Sequence, residues 1–236
     1  MKPIFLFSAA LALATAAAPI AARAAEQPVV VELFTSQGCS SCPPANANLI
    51  ELTRRPDVLA LSFSVTYWDY LGWKDVFGKP QFTRRQEIYE PKLGQAGPFT
   101  PQMVINGQAS TVGYDLAEVE SLIARSRRPA GAPALNLRGG RAVIGAGTAR
   151  GEGADVWLVL YDPLTREVPV RRGENGGHTL AHAHVVQDLV RLGDWEGRAA
   201  SFPLPEPSAG LKSAVLVQER NGGPILAAAT DERTEK

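Results

Sequence analysis

The pattern of apolar and polar positions in the first half of the chain predicts alternating strands and helices. Val29–Phe34 and Val58–Val65 are continuous apolar runs rich in β-branched residues, which is typical of buried strands. Between them, Pro43 opens a segment predicted to be helical to about Arg54, because the first-turn amides of a helix lack partners and proline is tolerated there. Strand, helix and strand in this order predict a right-handed βαβ unit.

The alternation continues after an aromatic-rich loop at Tyr67–Phe77. Gln81–Tyr89 is predicted to be a helix. Pro101–Asn106 is predicted to be a strand that turns at an Asn-Gly pair into a second strand at Ala109–Val112. Asp115 is a suitable N-cap for a last helix, whose apolar residues recur at helical spacing.

The pattern changes beyond a predicted linker at residues 127–133 (RRPAGAP). Short apolar runs separated by Gly or Pro follow, which indicate an antiparallel β-sandwich of immunoglobulin-like type. The predicted strands lie near Leu135 and at Ala142–Gly145, Val156–Asp162, Val168–Arg171, Ala181–Leu192, Ala199–Leu204, Ala214–Glu219 and Ile225–Ala229. A helical turn is the alternative for part of Val185–Leu192, since periodicity does not decide between the two. We therefore expect an α/β domain over residues 25–128 and a C-terminal β-sandwich domain over residues 129–236.

The N-terminus is predicted to be a signal peptide over residues 1–24. Lys2 supplies a positive charge, Ile4–Ile20 is apolar, and Ala22-Arg23-Ala24 has small residues at the two positions that a signal peptidase recognises. The alternative is a transmembrane anchor, but the run is short and rich in weakly hydrophobic Ala. The mature protein is expected to be periplasmic or secreted, with no membrane anchor after cleavage.

Charge and composition exclude some partners. The chain has 24 basic and 24 acidic residues, so it has no electrostatic footprint for nucleic acid or for anionic lipid. Its two cysteines both follow the predicted cleavage site, and in an oxidising compartment they are expected to pair. No cofactor is predicted.

The candidate chemistry lies at Cys39 and Cys42, between the first strand and the first predicted helix. The positive end of that helix would stabilise a Cys39 thiolate, which makes Cys39 the predicted nucleophile and Cys42 the resolving thiol. Two alternatives stay open. A purely structural disulfide would contribute only about 2 kcal/mol, since the closed loop is short. A zinc site needs about four ligands, and this part of the chain offers two thiols and no histidine.

Strand, Cys-x-x-Cys helix, strand, helix and then Thr100-Pro101 opening a hairpin resembles the thioredoxin fold. The resemblance implies that the Thr100–Pro101 bond is cis, that Pro101 shapes a peptide groove beside the dithiol, and that the Thr100 backbone binds a substrate chain. A closer resemblance rests on ELFTSQGCSSCPPA at residues 32–45, YWDYLGWKD at 67–75, TPQMVING at 100–107 and RGEN-GG-TL-H-HVV at 172–186. By these stretches the chain is similar to an uncharacterised bacterial secreted family, DUF1223, which implies a thioredoxin-like domain followed by a β-domain.

Several further residues are candidates. Glu32 is interpreted either as a buried carboxylate that moves the proton of the resolving thiol or as a solvent-facing residue on a half-buried strand. The aromatic residues Trp68, Tyr70 and Trp73 would form a substrate-binding lip next to the dithiol, or a satellite core under a long loop.

His182 and His184 are weak metal candidates, because residues two apart on a strand share a face; His178 could approach them. The alternative is a pair of histidines with no metal role. The leading functional prediction is a thiol-disulfide oxidoreductase that acts on protein thiols or disulfides. The alternative is a binding module for a protein, glycan or metal, with a static disulfide.

Overall fold

The computed structural model describes residues 27–231, and the predicted signal peptide at residues 1–24 lies outside them. Four α-helices occur in this part of the chain: α1 (Pro43–Leu52), α2 (Pro80–Glu87), α3 (Glu90–Leu93) and α4 (Leu116–Arg125). Its strands are β1 (Val29–Thr35), β2 (Val58–Ser64), β3 (Gln102–Ile105), β4 (Ala109–Thr111), β5 (Leu135–Arg138), β6 (Arg141–Ile144), β7 (Ala154–Asp162), β8 (Arg166–Pro169), β9 (Thr179–His182), β10 (Val185–Trp195), β11 (Ala200–Pro203), β12 (Lys212–Glu219) and β13 (Ile225–Thr230). None of the helices at residues 27–231 is both long and apolar enough to cross a bilayer.

The predicted elements of the first half are confirmed to within a few residues. β1 and β2 are parallel and joined by α1, while β3 and β4 form an antiparallel hairpin on the other side of β1. The α4 helix begins at Asp115, whose carboxylate accepts hydrogen bonds from the Ala117 and Glu118 amides at 2.9 and 3.3 Å. These bonds satisfy amides that have no partner inside the helix.

Alternation along β1 sends its side chains to two cores on opposite faces of the sheet. Val31 and Leu33 pack against α1 and α4. Val30 and Phe34 pack in the other core, which contains Phe82 of α2. The α1 helix therefore lies on the Val31 face of the sheet. The dithiol loop, residues 36–42, leads into this helix.

The strands beyond the predicted linker are not all in a sheet of their own. An eight-stranded mixed sheet has the order β13-β12-β7-β10-β2-β1-β3-β4, so β10 continues the sheet from the free edge of β2. The two strands meet in parallel at Val185 and Ser62, and the Ser62 amide donates to the His184 carbonyl at 3.0 Å. The main sheet therefore contains strands from both sides of the predicted boundary at residues 128–129.

A three-stranded sheet, β11-β6-β5, packs on the C-terminal half of the main sheet. Leu135 and Ile144 from the small sheet share a core with Val156, Val215 and Trp195. The remaining strands, β8 and β9, form a separate hairpin that contacts α1. The chain is therefore a mixed α/β protein with one large mixed sheet and few helices.

The prediction of one continuous strand at Ala181–Leu192 is wrong, because two strands, β9 and β10, lie there. β9 pairs with β8 in the hairpin, whereas β10 pairs with β7 in the main sheet. The chain changes sheets between them at His184, which adopts a left-handed backbone conformation with φ of 46°. Apolar periodicity alone does not reveal this change, because the residues on both sides of it are buried.

Candidate functional site

The site is centred on a disulfide between Cys39 and Cys42, with a Cα–Cα distance of 5.5 Å. Cys42 is the N-cap of α1, and Pro43 occupies the first helical position. Cys39 therefore lies one turn before the helix, where unpaired amides and the helix dipole favour negative charge. The two cysteines are 3% and 0% exposed, so the neighbouring Ser40 and Ser41, which are exposed, form the outer surface of this loop.

Trp68 joins the dithiol loop to the Thr100–Pro101 turn. Its indole Nε1 donates to the Thr100 Oγ1 at 2.7 Å, and the Thr100–Pro101 peptide bond is cis, as the resemblance implies. A Cβ added at Gly38 would lie 3.1 Å from the Trp68 Cβ and 3.2 Å from its carbonyl oxygen. Glycine at position 38 therefore permits the close approach of Trp68 to the loop.

Trp73 and Asp75 hold the same loop from a second direction. The Trp73 Nε1 donates to the Gln37 Oε1 at 2.9 Å, and the Gln37 amide donates to the Asp75 Oδ2 at 2.7 Å. The other carboxylate oxygen, Oδ1, accepts from the Phe77 amide at 2.8 Å. Burial raises the pKa of Asp75 to about 6, although these amide bonds act in the opposite direction.

Tyr70 differs from the other two aromatic candidates. Its side chain is 77% exposed and stacks on Trp68 with ring centroids 6.3 Å apart. The three aromatic candidates therefore differ in their surroundings. Trp73 hydrogen-bonds Gln37, Trp68 approaches Gly38 closely and hydrogen-bonds Thr100, and Tyr70 presents an exposed aromatic surface on Trp68.

A turn from the second half of the chain covers the dithiol loop. This cover turn, residues 172–177, connects β8 to β9. Asn175 is buried, and its Nδ2 donates to the carbonyl oxygens of Gln37 and Cys39, both at 2.9 Å. The Ser40 amide donates to the Glu174 Oε2 at 3.1 Å. Hydrogen bonding from the Ser40 side chain, together with this amide bond, holds the pKa of Glu174 below its usual range.

The cover turn also contacts the aromatic loop. A Cβ at Gly173 would lie 3.3 Å from the Leu71 carbonyl oxygen and 3.4 Å from the Trp73 Cβ, and the φ of Gly173 is +75°. Glycine is needed at this position for both the close approach and the left-handed backbone. In the sequence, Glu174 and Asn175 stand out only as part of the stretch at residues 172–186, because their contact with Cys39 and Ser40 crosses more than 130 residues of chain.

The structure does not bring Glu32 to the dithiol. Its side chain is fully buried, but it points to the face opposite α1, together with Val30 and Phe34. There the Arg85 Nε donates to Glu32 Oε1 at 2.5 Å, and the Tyr89 hydroxyl donates to Oε2. The proposed proton transfer to Cys42 is therefore corrected: Glu32 is the partner of a buried arginine.

The histidines are also separated by their environments. His182 ends β9, is 1% exposed and packs edge-on against Phe77, with ring centroids 5.8 Å apart. Its two ring nitrogens have no hydrogen-bond partner within residues 27–231, and burial lowers its pKa to about 4. His184 lies outside β9, packs against Tyr161, and hydrogen-bonds the Ala60 carbonyl through Nδ1.

No group of three metal-ligating side chains occurs in the described residues. The expectation that His182 and His184 share one strand face is wrong, because β9 ends at His182 and the backbone turns left-handed at His184. The exposed His178 lies in the connection just before β9.

Fold and site together define a mixed α/β protein with a buried disulfide at a helix start and a covering turn from a distant part of the chain. The chain belongs to the family described as protein of unknown function (DUF1223), which matches residues 30–218. No curated protein matches it.

Two solved structures are similar to this chain. Protein AGR_C_4864 from Agrobacterium tumefaciens is 31% identical, with a TM-score of 0.67 over 86% of this chain and 92% of that chain. HBP35 of Porphyromonas gingivalis is 12% identical, with a TM-score of 0.54 over 87% of this chain and 75% of that chain. The second likeness is one of fold alone.

Proposed function

We propose that this protein is a thiol-disulfide oxidoreductase of thioredoxin-like type, exported to the periplasm or secreted, that acts on protein thiols or disulfides. The observation that carries the proposal is the Cys39–Cys42 disulfide at the N-terminus of α1. The parallel β1–β2 pair joined by α1, and the antiparallel β3–β4 hairpin that follows the Thr100–Pro101 turn, support the thioredoxin-like interpretation.

The reaction proceeds by two thiolate attacks when the protein reduces a substrate. The Cys39 thiolate attacks one sulfur of a substrate disulfide, forms a mixed disulfide, and releases the other substrate sulfur as a thiolate. The Cys42 thiolate then attacks the Cys39 sulfur and releases the second substrate thiolate. The substrate has gained two electrons, and the protein has returned to its disulfide form. Oxidation of a substrate dithiol is the reverse sequence.

The positions of the two sulfurs favour these separate roles. Cys39 lies just before α1, with its Sγ 3.4 Å from the Ser41 Oγ, which can donate a hydrogen bond to a thiolate. Cys42 is fully buried beneath it. A partner that displaced the cover turn would therefore reach Cys39 first, while Cys42 is kept for the intramolecular step.

The test is the reduction potential of the Cys39–Cys42 pair in dithiothreitol and glutathione buffers, together with the thiol pKa of Cys39. We expect a potential between about −270 and −120 mV, the range of dithiol oxidoreductases, and a Cys39 pKa below about 8.5. Cys42→Ser should accumulate a mixed disulfide with a reporter substrate, and Cys39→Ser should not. A disulfide that resists dithiothreitol, with an unperturbed Cys39, would contradict the proposal.

A second candidate function is supported by the burial of the disulfide. With Cys39 only 3% exposed, the pair could act as a static clamp in a binding module for a protein, glycan or metal. Replacing both cysteines by serine separates the two candidates. The double-serine variant cannot exchange disulfides. If it still binds its ligand, the binding module is favoured; if it loses all function, the oxidoreductase is favoured.

A further inference from the structure

The cover turn occupies the polar backbone groups around Cys39. Asn175 donates to the carbonyl oxygens of Gln37 and Cys39, and Glu174 accepts a hydrogen bond from the amide of Ser40. These are the groups that a partner chain lying across Cys39 would otherwise meet. The turn is held by its own hydrogen bonds, from the Gly177 amide to the Val170 carbonyl at 2.9 Å and from the His178 amide to the Asn175 carbonyl at 3.1 Å.

Glu174 also places a negative charge next to the residue that would carry a thiolate. Its carboxylate accepts from the amide of Ser40, which directly follows Cys39 in the chain. The first turn of α1 contains no acidic residue. The acidic side chains seen to hydrogen-bond this loop are Glu174, from the cover turn, and Asp75, which binds the Gln37 amide from the aromatic loop.

We propose that the cover turn controls access to Cys39, with Asn175 holding it closed over the disulfide and Glu174 releasing it when reduction creates a thiolate. This inference rests on the proposed thiol chemistry of Cys39. The Glu174 carboxylate binds the Ser40 amide, one residue after Cys39 and just before α1, so a Cys39 thiolate and this carboxylate repel each other and each weakens the binding of the other. Because the coupling is reciprocal, the carboxylate that the thiolate expels must itself make that thiolate harder to form.

The glycines of the turn fit this role. Gly173 and Gly177 have φ values of +75° and +88°, and Gly176 lies between them. A segment with glycines at both ends can change its backbone conformation with little steric cost. In the closed position large partners are excluded from Cys39; in the open position the loop presents free amides and carbonyls to a partner chain.

The first experiment measures alkylation of Cys39 by iodoacetamide in the reduced protein, using Glu174→Gln and, as a matched control on the same hairpin, Glu167→Gln. Glu167 is an exposed residue of β8. We expect Glu174→Gln to increase alkylation at pH 7 about threefold to tenfold, corresponding to a Cys39 pKa lower by about half to one unit. The reduction potential should become more oxidising. The control should match the parent protein.

The second experiment measures opening directly by brief trypsin treatment. Arg172 is exposed in the cover turn, and Arg138 is exposed at the end of β5 and provides an internal control. The protein is reduced by dithiothreitol, which is converted to its cyclic disulfide, and the excess reagent is removed before digestion. We expect cleavage after Arg172 to be several times faster in the reduced protein, with cleavage after Arg138 unchanged.

Two variants test the cause of opening. Asn175→Ala should speed cleavage after Arg172 already in the disulfide form, because it removes both bonds to the dithiol loop. Cys39→Ser with Cys42→Ser lacks a thiolate, so its cleavage should stay slower than that of the reduced parent.

Equal cleavage in the oxidised and reduced protein, or equal alkylation in Glu174→Gln and Glu167→Gln, would overturn the inference. Its failure is distinguishable from failure of the proposed function. A dithiol that exchanges with substrates without these effects leaves the oxidoreductase proposal standing. If the dithiol shows these effects but exchanges with no disulfide, the oxidoreductase proposal fails, and the inference that the cover turn controls access to Cys39 stands.

Discussion

Glu32 and Leu33 are neighbours on β1, and their side chains lie on opposite faces of the sheet. Leu33 faces the core beneath α1, whereas Glu32 bonds Arg85 and Tyr89 on the other side. Both of these partners also bond Gln218. The Arg85 guanidinium also lies 5.6 Å from the centroid of the Tyr89 ring. A carboxylate that compensates a buried guanidinium contributes to stability. Glu32 lies on the sheet face opposite α1 and the thiols.

Glu32→Gln tests this structural role. The substitution leaves the buried Arg85 charge uncompensated, which should lower the free energy of unfolding by about 3–5 kcal/mol. The reduction potential of Cys39–Cys42 should not change. Urea unfolding and redox titration on the same sample measure both quantities, and Glu32→Leu with Arg85→Met should recover most of the lost stability. A large change in the potential would instead return Glu32 to the dithiol chemistry.

Asp75 and His182 are expected to contribute opposite pH dependences. Burial raises the pKa of Asp75 to about 6, so its contribution makes the fold more stable as the pH falls through 6 towards 4. Burial lowers the pKa of His182 to about 4, so its contribution favours the fold above pH 6.5 and is lost as the pH falls towards 4. Each contribution amounts to at most about 3 kcal/mol, and they oppose each other over the same interval.

Removing one of these two groups should therefore reveal the pH dependence of stability that the other contributes. In Asp75→Asn, stability should fall more steeply between pH 6.5 and pH 4 than in the parent protein, and in His182→Gln it should fall less steeply. Urea unfolding at a series of pH values, with the disulfide intact, measures the slopes. Slopes that do not differ from the parent would show that neither group titrates with a shifted pKa.

At the scale of the elements, the sequence predicted best where one local signal decides the structure. Pro43 stands at a helix start, Asp115 caps α4, and the apolar runs of β1 and β2 are buried on both faces. Such signals depend on neighbours along the chain. The dithiol was placed correctly at the start of α1 for the same reason.

The elements that were not predicted depend on contacts distant in sequence. The split between β9 and β10 arises because each strand pairs with a different sheet, and nothing in residues 181–192 specifies those partners. The same is true of Asn175, whose bonds to Gln37 and Cys39 span more than 130 residues. Asp75 was noticed only as a member of an aromatic loop, since its bond to the Gln37 amide requires that loop to fold back onto β1.

At the scale of the whole molecule, the continuous sheet couples the two halves of the chain. The core on the α2 side combines residues of the first half, such as Phe63 and Phe82, with Val159, Val186 and Leu216 of the second half. A shared core and a shared sheet predict that both halves unfold together.

A fragment of residues 25–128 tests this coupling. It exposes the edge of β2 that pairs with β10 and removes part of its own core, so we expect it to be unstable or to aggregate. The chain from residue 25 to its end should unfold in one transition when followed by circular dichroism and by tryptophan fluorescence. A fragment with a cooperative transition of its own would instead support two independent domains.

The distance in sequence between the dithiol and its cover also has a consequence for biogenesis. Ser40 and Glu174 are 134 residues apart, so the proposed export from the N-terminus would deliver Cys39 and Cys42 well before residues 172–177. For that interval the two thiols would be accessible to the oxidising catalysts of the proposed compartment. Folding of the second half then closes the interval, so the order of synthesis allows the bond to form before the finished protein restricts access to it.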